Sequence, residues 1–212
     1  MQYSKVLNIS FYSNIVNFIL KNRLLIIFTL IFIFGFSLSV FQGDKYEFIK
    51  NCTESYFKNF ISVRNNSTFL NVVSNSYFSA MFYIVLCVLS GGSIFGVLLV
   101  PLVVCFKGFI FGCFSAYLYS VYSFEGVAFH AVVILPSAII FTITLIYCSI
   151  ESVVLSLNLA KLTFKENISN SVFFNFKRFT YKLLIYNIFI LLAAVLEALL
   201  TKGLIKNFSG II

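Results

Sequence analysis

Ionisable side chains inside apolar stretches are the residues of this sequence whose types and positions could do chemistry. Lys107, His130, Glu151 and Glu197 each lie in or between long uncharged runs. A charged group in hydrocarbon is costly, so such residues are usually paired or functional. Lys107 and Glu151 are predicted to lie at similar depth near the inner membrane face, which suggests an ion pair. The alternative is that each side chain reaches interfacial water separately.

His130 and Glu197 have simpler explanations than catalysis. His130 falls in the outer half of the predicted fourth span, where a packing or interfacial role is favoured over a proton relay. Glu197 falls within about a turn of the outer end of the last span, where its carboxylate can reach the interface. The sequence alone leaves the role of His130 open.

No motif for a catalytic, cofactor-binding or metal site is found in the sequence. Phosphate-binding glycine loops, nucleophile elbows and paired catalytic carboxylates are missing, and the single histidine argues against a histidine-based metal site. Four of the five cysteines lie in apolar runs, and no pair has disulfide or metal spacing, which is typical of buried packing thiols. We therefore expect no catalytic residue, no cofactor and no metal.

The elements that position these residues are membrane helices. Of the 212 residues, 60% are hydrophobic and 10% are charged, whereas roughly a quarter of residues are charged in soluble domains. Several uncharged runs reach the roughly 18 residues that a bilayer requires, and their continuity favours helices over the alternating strands of a membrane barrel. The predicted fold class is all-α, a polytopic helical bundle forming a single membrane domain.

The uncharged runs predict five spans with amphipathic connections. The spans are residues 24–41, 78–105, 107–123, 127–157 and 183–201. The other segments are an amphipathic cytoplasmic segment (1–23), an extracytoplasmic loop with two short amphipathic helices (42–77), a basic cytoplasmic segment with a further amphipathic helix (158–182) and an extracytoplasmic tail (202–212). In this arrangement Lys107 forms the inner turn between the second and third spans.

The net charge of +8 is spread between the spans and not gathered in one patch. This distribution argues against nucleic acid as a partner and favours anionic lipid headgroups. Basic residues are retained on the cytoplasmic side, and the clearest indicator is the segment 158–182, with five bases and one acid. The N-terminus is predicted to be cytoplasmic and the C-terminus extracytoplasmic.

Small residues predict close helix packing. Gly92 and Gly96 form one set with a spacing of four, and Gly108, Gly112 and Ala116 form another. Such spacing makes a smooth helix face that another backbone can approach. In the fourth span, Pro136 is expected to kink the helix, because proline lacks an N–H group and leaves a carbonyl unpaired.

Several short motifs follow one another in a fixed order along the apolar part of the sequence: Ser90-Gly91-Gly92-Ser93-Ile94-Phe95-Gly96, then Lys107-Gly108-Phe109 with Gly112, then Gly126 and Ile134-Leu135-Pro136. This series resembles the stage II sporulation protein M family. The overall length and the five spans also resemble that family. Wider members often carry Pro-His-Gly followed by Glu in the fourth span. The corresponding positions here are Pro136, Ser137, Ala138 and Phe141, so the polar groups of that motif are missing.

The resemblance implies a non-enzymatic membrane scaffold in the engulfment machinery of spore-forming bacteria. It would recruit the peptidoglycan-degrading stage II sporulation proteins D and P to the septum, in the membrane of the mother cell. The loop 42–77 and the glycine faces are the expected contact surfaces, and a homo-oligomer is possible. The rival class is a small transporter or channel, for which the fourth span offers only His130, Ser137, Thr142, Thr144 and Glu151 as a polar path.

Overall fold

A computed structural model describes residues 22–42, 47–164 and 169–204. The regular elements in these residues are all helical, which confirms the predicted all-α class. They are α1 (Arg23–Gln42), α2 (Glu47–Asn66), α3 (Phe69–Gly91), α4 (Gly96–Phe129), a π-helical turn (His130–Ile134), α5 (Leu135–Phe164) and α6 (Ser169–Leu204). The predicted segment 1–23 and tail 202–212 lie largely outside the described residues.

Helix α4 reverses direction at Ser123. This residue has φ 47° and ψ −124°, a conformation that does not belong to a helix. Beyond it the chain folds back, so that Gly126 lies against the backbone of Leu118 and His130 lies against Ser115 and Tyr119. A Cβ at position 126 would overlap the Leu118 carbonyl, so only glycine fits this close approach.

The apolar helices have the lengths that membrane spans need. Phe69–Gly91, Gly96–Lys161 and Lys177–Leu204 are long and apolar enough to cross a bilayer, and Arg23–Ser39 is a shorter apolar helix. Gly96–Lys161 has 66 residues, about three bilayer thicknesses if it were straight. Because it folds back at Ser123, it supplies two antiparallel arms. With α1, α3 and α6 these arms make five apolar helical segments in the described part of the chain.

The boundary between the second and third of these segments differs from the prediction. Helix α3 ends at Gly91 and α4 begins at Gly96, so the chain turns at Gly92–Phe95 and not at Lys107. Ser156 of α5 holds this turn, because its hydroxyl donates to the carbonyl of Ser93 at 2.7 Å. The turn contains no charged residue, so the charge pattern from which the span boundaries are predicted gives no sign of it. Lys107 therefore lies within a helix, about 16 Å along the axis from Gly96.

Helix α2 packs on the bundle at the end opposite the Gly92–Phe95 turn. Its apolar side buries Phe57 and Ile61, which are 2% and 9% exposed, against Phe114, Leu118 and Phe129. The loop 42–77 was predicted to hold two short amphipathic helices. Instead, α2 is a single helix of 20 residues, and the second apolar pattern belongs to the first turns of α3.

The segment 158–182 is not a separate amphipathic helix in the residues that are described. Its first part continues α5 to Phe164, and its last part begins α6 at Ser169. Helix α6 runs without a break into the apolar stretch Lys177–Leu204. The described basic residues of this segment therefore lie on α5 and α6 themselves, next to the apolar stretches of these helices.

Helix α1 packs tightly on the first arm of α4 through glycines. Gly35 lies against the backbone of Cys105, Gly108 against Phe32, and Gly112 against Phe36 and Ser39. At each of these three positions a Cβ would overlap the partner helix. Phe32 meets Gly108 and Phe36 meets Gly112, so α1 and this arm run parallel.

The other predicted small residues lie elsewhere. Gly92 and Gly96 were expected to share one helix face, but they lie on either side of the turn between α3 and α4. Gly96 packs against Ser90 and Ser156, whereas a Cβ on Gly92 would meet only nearby carbonyls at 3.5 Å and 3.6 Å. Ala116, the third member of the other set, lines a small pocket with Lys50 and Thr53 of α2, and its packing against α1 stays a prediction.

Candidate functional site

A cavity of about 210 Å³ lies among α2, α3, α4, α5 and α6. Three charged residues, Arg64, Lys107 and Glu197, line it together with apolar residues and several hydroxyl and amide groups. Ser137, Ala138 and Phe141 also form part of its wall. These are three of the positions at which the sequence departs from the motif common in wider members of the resembled family. A concave, largely apolar space with a few convergent polar groups is the usual form of a small-molecule binding site.

Arg64 occupies one side of the cavity and is 5% exposed. It donates to Glu197 of α6, to the hydroxyl of Ser76 at 3.1 Å and to the carbonyl of Phe60 at 3.2 Å. Its guanidinium carbon lies 3.3 Å from the centre of the Phe60 ring. Its Nε has no hydrogen-bond partner. Arg64 thus fastens the end of α2 to α3 and α6.

Glu197 faces this cavity and does not extend freely toward the membrane surface. Its carboxylate is paired with Arg64, and its side chain is 21% exposed. One helical turn later, Lys202 donates to the carbonyl of Ser67 in the α2–α3 connection. The sequence interpretation of Glu197 as a residue reaching the interface is therefore incomplete, because the partner from α2 could not be recognised in the sequence.

Lys107 supplies the second positive charge of the cavity. Its Nζ lies 4.6 Å from the centre of the Tyr83 ring and 5.0 Å from that of Phe141. Aromatic faces attract an ammonium group and offset part of the desolvation penalty. No ion pair joins Lys107 to a carboxylate among the described residues. The cavity therefore has two cations and one carboxylate in its wall.

The predicted ion pair between Lys107 and Glu151 is wrong. Glu151 of α5 is instead paired with Lys182 of α6. The two side chains are 28% and 27% exposed, and the pair lies toward the end of the bundle that holds the Gly92–Phe95 turn. The hypothesis failed because it placed Lys107 at the inner turn, whereas Lys107 lies in the middle of a helical arm.

The opening of the cavity is polar. Asn59 of α2 and Asn75 and Ser79 of α3 line the cavity and are exposed, so they form its rim. Tyr56 of α2 also lines it, and burial raises the pKa of its phenol above the usual value. A phenol is protonated at neutral pH, so the Tyr56 hydroxyl can donate a hydrogen bond to a ligand.

His130 belongs to a separate polar cluster beside the turn at Ser123. It is 3% exposed, and its ring nitrogens lie 2.9 Å from the hydroxyls of Ser115 and Tyr119. The ring of Phe111 lies 5.3 Å from the His130 ring. These contacts join the two arms of the reversal, so His130 has a structural role at this position.

Pro136 lies just after the π-helical turn, in the first turn of α5. The N–H of Leu135 bonds to the carbonyl of His130, five residues earlier, which is the π pattern. A wider turn at this point accommodates a proline, since proline cannot donate to a carbonyl of the preceding turn. The helix irregularity expected at Pro136 is therefore a π-helical turn, and it lies just before the proline.

Sequence reasoning missed Arg64 and Lys182 as partners of the membrane carboxylates. Arg64 was assigned to a polar loop, and Lys182 was read only as the boundary of the last span. The sequence contains only a weak signal for these two ion pairs. Residues on different helices can pair only if they lie at the same depth in the bundle, and the sequence does not determine that depth. Within the described ranges, no group of three His, Cys, Asp or Glu side chains could hold a metal.

The comparisons with known proteins agree with this architecture. The family model described as stage II sporulation protein M matches residues 24–202, which is well over half of the chain and includes α2 to α5 and nearly all of α1 and α6. No curated protein and no solved structure matches the chain. On the strength of the family match and the apolar helices, the chain belongs to the stage II sporulation protein M family and is a sporulation-related membrane protein.

Proposed function

We propose that this protein is a non-enzymatic membrane scaffold that recruits peptidoglycan-degrading proteins to the septum during engulfment. Stage II sporulation proteins D and P are the partners that the family resemblance implies. The observation that carries the proposal is the way α2 is attached. One side of this helix is fixed to the bundle by Phe57, Ile61 and Arg64, and its other side is free to contact a partner.

The free side of α2 is polar and ordered. It consists of residues that are all exposed, namely Asn51, Cys52, Ser55, Lys58 and Ser62. Lys58 is paired with Glu54 at 2.6 Å on this surface. The pair lowers the pKa of Glu54 and raises that of Lys58, so both groups stay charged at neutral pH. Because these residues lie on a helix that is packed on the bundle, binding a soluble domain requires little ordering of the backbone.

The proposed orientation puts α2 on the extracytoplasmic side. The end with the Gly92–Phe95 turn holds Arg23 at the start of α1, Lys161 near the end of α5, and Lys177 and Arg178 in α6. An excess of bases is typical of the cytoplasmic side. Peptidoglycan-degrading partners act outside the membrane, so a docking face at the opposite end fits the scaffold role and a position in the septal membrane of the mother cell.

Co-purification tests this function with matched variants. Lys58→Glu reverses a charge on the free side of α2, and Lys177→Glu reverses an exposed charge at the other end. We expect Lys58→Glu to reduce recovery of the two hydrolases with the membrane protein and to delay engulfment, while Lys177→Glu changes neither. Equal recovery with both variants would exclude α2 as the docking face. A purified protein that cleaves peptidoglycan unaided would contradict the non-enzymatic scaffold.

A small transporter or channel is the alternative function, and the charged cavity is the observation that favours it. Glu151, one of the polar residues predicted to form a path, does not line this cavity, because it is paired with Lys182 outside it. The test is solute flux into liposomes that contain the purified protein. Flux that is lost in Lys107→Gln would favour transport, and flux that is missing from the unaltered protein would favour the scaffold.

A further inference from the structure

The cavity has an uncompensated positive charge. Arg64 and Glu197 neutralise each other through their ion pair. Lys107 faces the same space, and its ammonium group has aromatic rings as neighbours but no paired carboxylate in the described chain. The charged residues of the wall therefore sum to one positive charge, at a position about 16 Å from the start of a membrane helix.

The surroundings of Lys107 are suited to an anion. In a low-dielectric site, a negative group is attracted far more strongly than in water. The cavity wall also includes hydroxyl donors from Ser79 and Thr142 and amide donors from Asn59 and Asn75. Arg64 also lines the cavity, although its unpartnered Nε is itself buried. A ligand with several acceptor oxygens could therefore bind between the two cations.

The dimensions restrict the ligand to a small headgroup. A volume of about 210 Å³ is enough for a carboxylate or a phosphate with a few attached atoms or waters. The polar rim formed by Asn59, Asn75 and Ser79 opens beside α2. A ligand could enter from that side without crossing the apolar surface of the bundle.

We propose that the cavity binds a singly charged oxyanion, a phosphate diester, with Lys107 as its principal counter-charge. The oxyanion has two possible sources, a free small molecule or the headgroup of an anionic lipid. The proposal does not depend on the scaffold function. In a scaffold, such a ligand would stabilise the contact among α2, α3 and α6.

The test measures the unfolding temperature of the full-length protein in detergent during titration with three short compounds. These are dimethyl phosphate, dioctanoyl phosphatidylglycerol and dioctanoyl phosphatidylcholine. We expect a saturable rise with at least one of the two anions and none with the zwitterionic lipid, because binding to the folded state stabilises it. A response to dimethyl phosphate indicates a free oxyanion, and a response to phosphatidylglycerol alone indicates a lipid headgroup.

Variants connect the binding to the cavity. Lys107→Gln should raise the dissociation constant by about tenfold or more, because it removes a charge-assisted contact. Lys177→Gln removes an exposed positive charge at the far end of the bundle and should leave the dissociation constant unchanged. Ala194→Leu fills part of the cavity wall while keeping Lys107, so it should also weaken binding.

Two results would overturn the proposal. One is a rise in unfolding temperature that is equal for phosphatidylglycerol and phosphatidylcholine, or missing for both anions. The other is an unchanged dissociation constant in Lys107→Gln and Ala194→Leu. If Lys107→Gln fails to fold, Ala194→Leu alone decides between these outcomes.

Discussion

Arg64 of α2 and Glu197 of α6 form an ion pair across the cavity, although 133 residues separate them in the chain. The pair is the main polar link between the proposed docking helix and the last membrane span. Because Arg64 is 5% exposed, removing its partner would leave a buried charge without compensation.

We expect Glu197→Gln to destabilise the protein by about 2–4 kcal/mol, a little below the range for fully buried pairs because Glu197 is partly exposed. The measurement is equilibrium unfolding in mixed detergent micelles. The matched control is Lys58→Gln, which breaks an exposed ion pair on α2 and should leave stability almost unchanged. Equal losses in the two variants would show that the Arg64 pair does not hold α2 to the bundle.

The contact between α1 and α4 gives a second prediction. Gly108→Ala should destabilise the protein by about 1–3 kcal/mol, because its Cβ would overlap the backbone of Phe32 and push the helices apart. Gly92→Ala is the matched control, since its Cβ would make only ordinary contacts at 3.5 Å. Thermal unfolding of the two variants measures the difference. Similar unfolding temperatures would argue against close packing at Gly108.

Ser123 gives a prediction of the opposite sign. It is the only residue other than glycine with positive φ in the described ranges, and a serine in such a conformation is strained by roughly 1–3 kcal/mol. Ser123→Gly should therefore raise the unfolding temperature. The control Ser120→Gly alters an exposed serine in the regular part of α4 and should lower stability by about 0.5–1 kcal/mol. Destabilisation by both variants would indicate that the reversal is not at Ser123.

Cys52 provides a direct test of orientation. It is exposed on α2, whereas Cys87, Cys113 and Cys148 are buried and Cys105 is partly buried. A membrane-impermeant maleimide added to intact cells should label the protein, and Cys52→Ser should abolish that labelling. Labelling only after the cells are opened would place α2 in the cytoplasm and contradict the proposed docking of extracytoplasmic partners.

The helical class could be predicted from the sequence because it follows from long uncharged runs. A run of apolar residues without charge has few alternatives to a membrane helix. The same signal placed the reversal near residue 123 correctly, since Ser123, Glu125 and Gly126 interrupt the apolar pattern.

The site could not be predicted because its charges come from segments with different sequence character. Arg64 belongs to a polar helix, whereas the sequence predicts Lys107 in a turn and Glu197 near the membrane surface. The error at Lys107 arose because a lone charge was assumed to mark the edge of a span. In the structure the turn at Gly92–Phe95 has no charge, and the charge lies inside the following helix.

The parallel contact of α1 with α4 has a consequence for biogenesis. The ribosome must synthesise α2 and α3 before the glycines of α4 exist, so α1 enters the lipid without its principal neighbour. The contact between α1 and α4 can therefore form only after the third apolar segment has been synthesised.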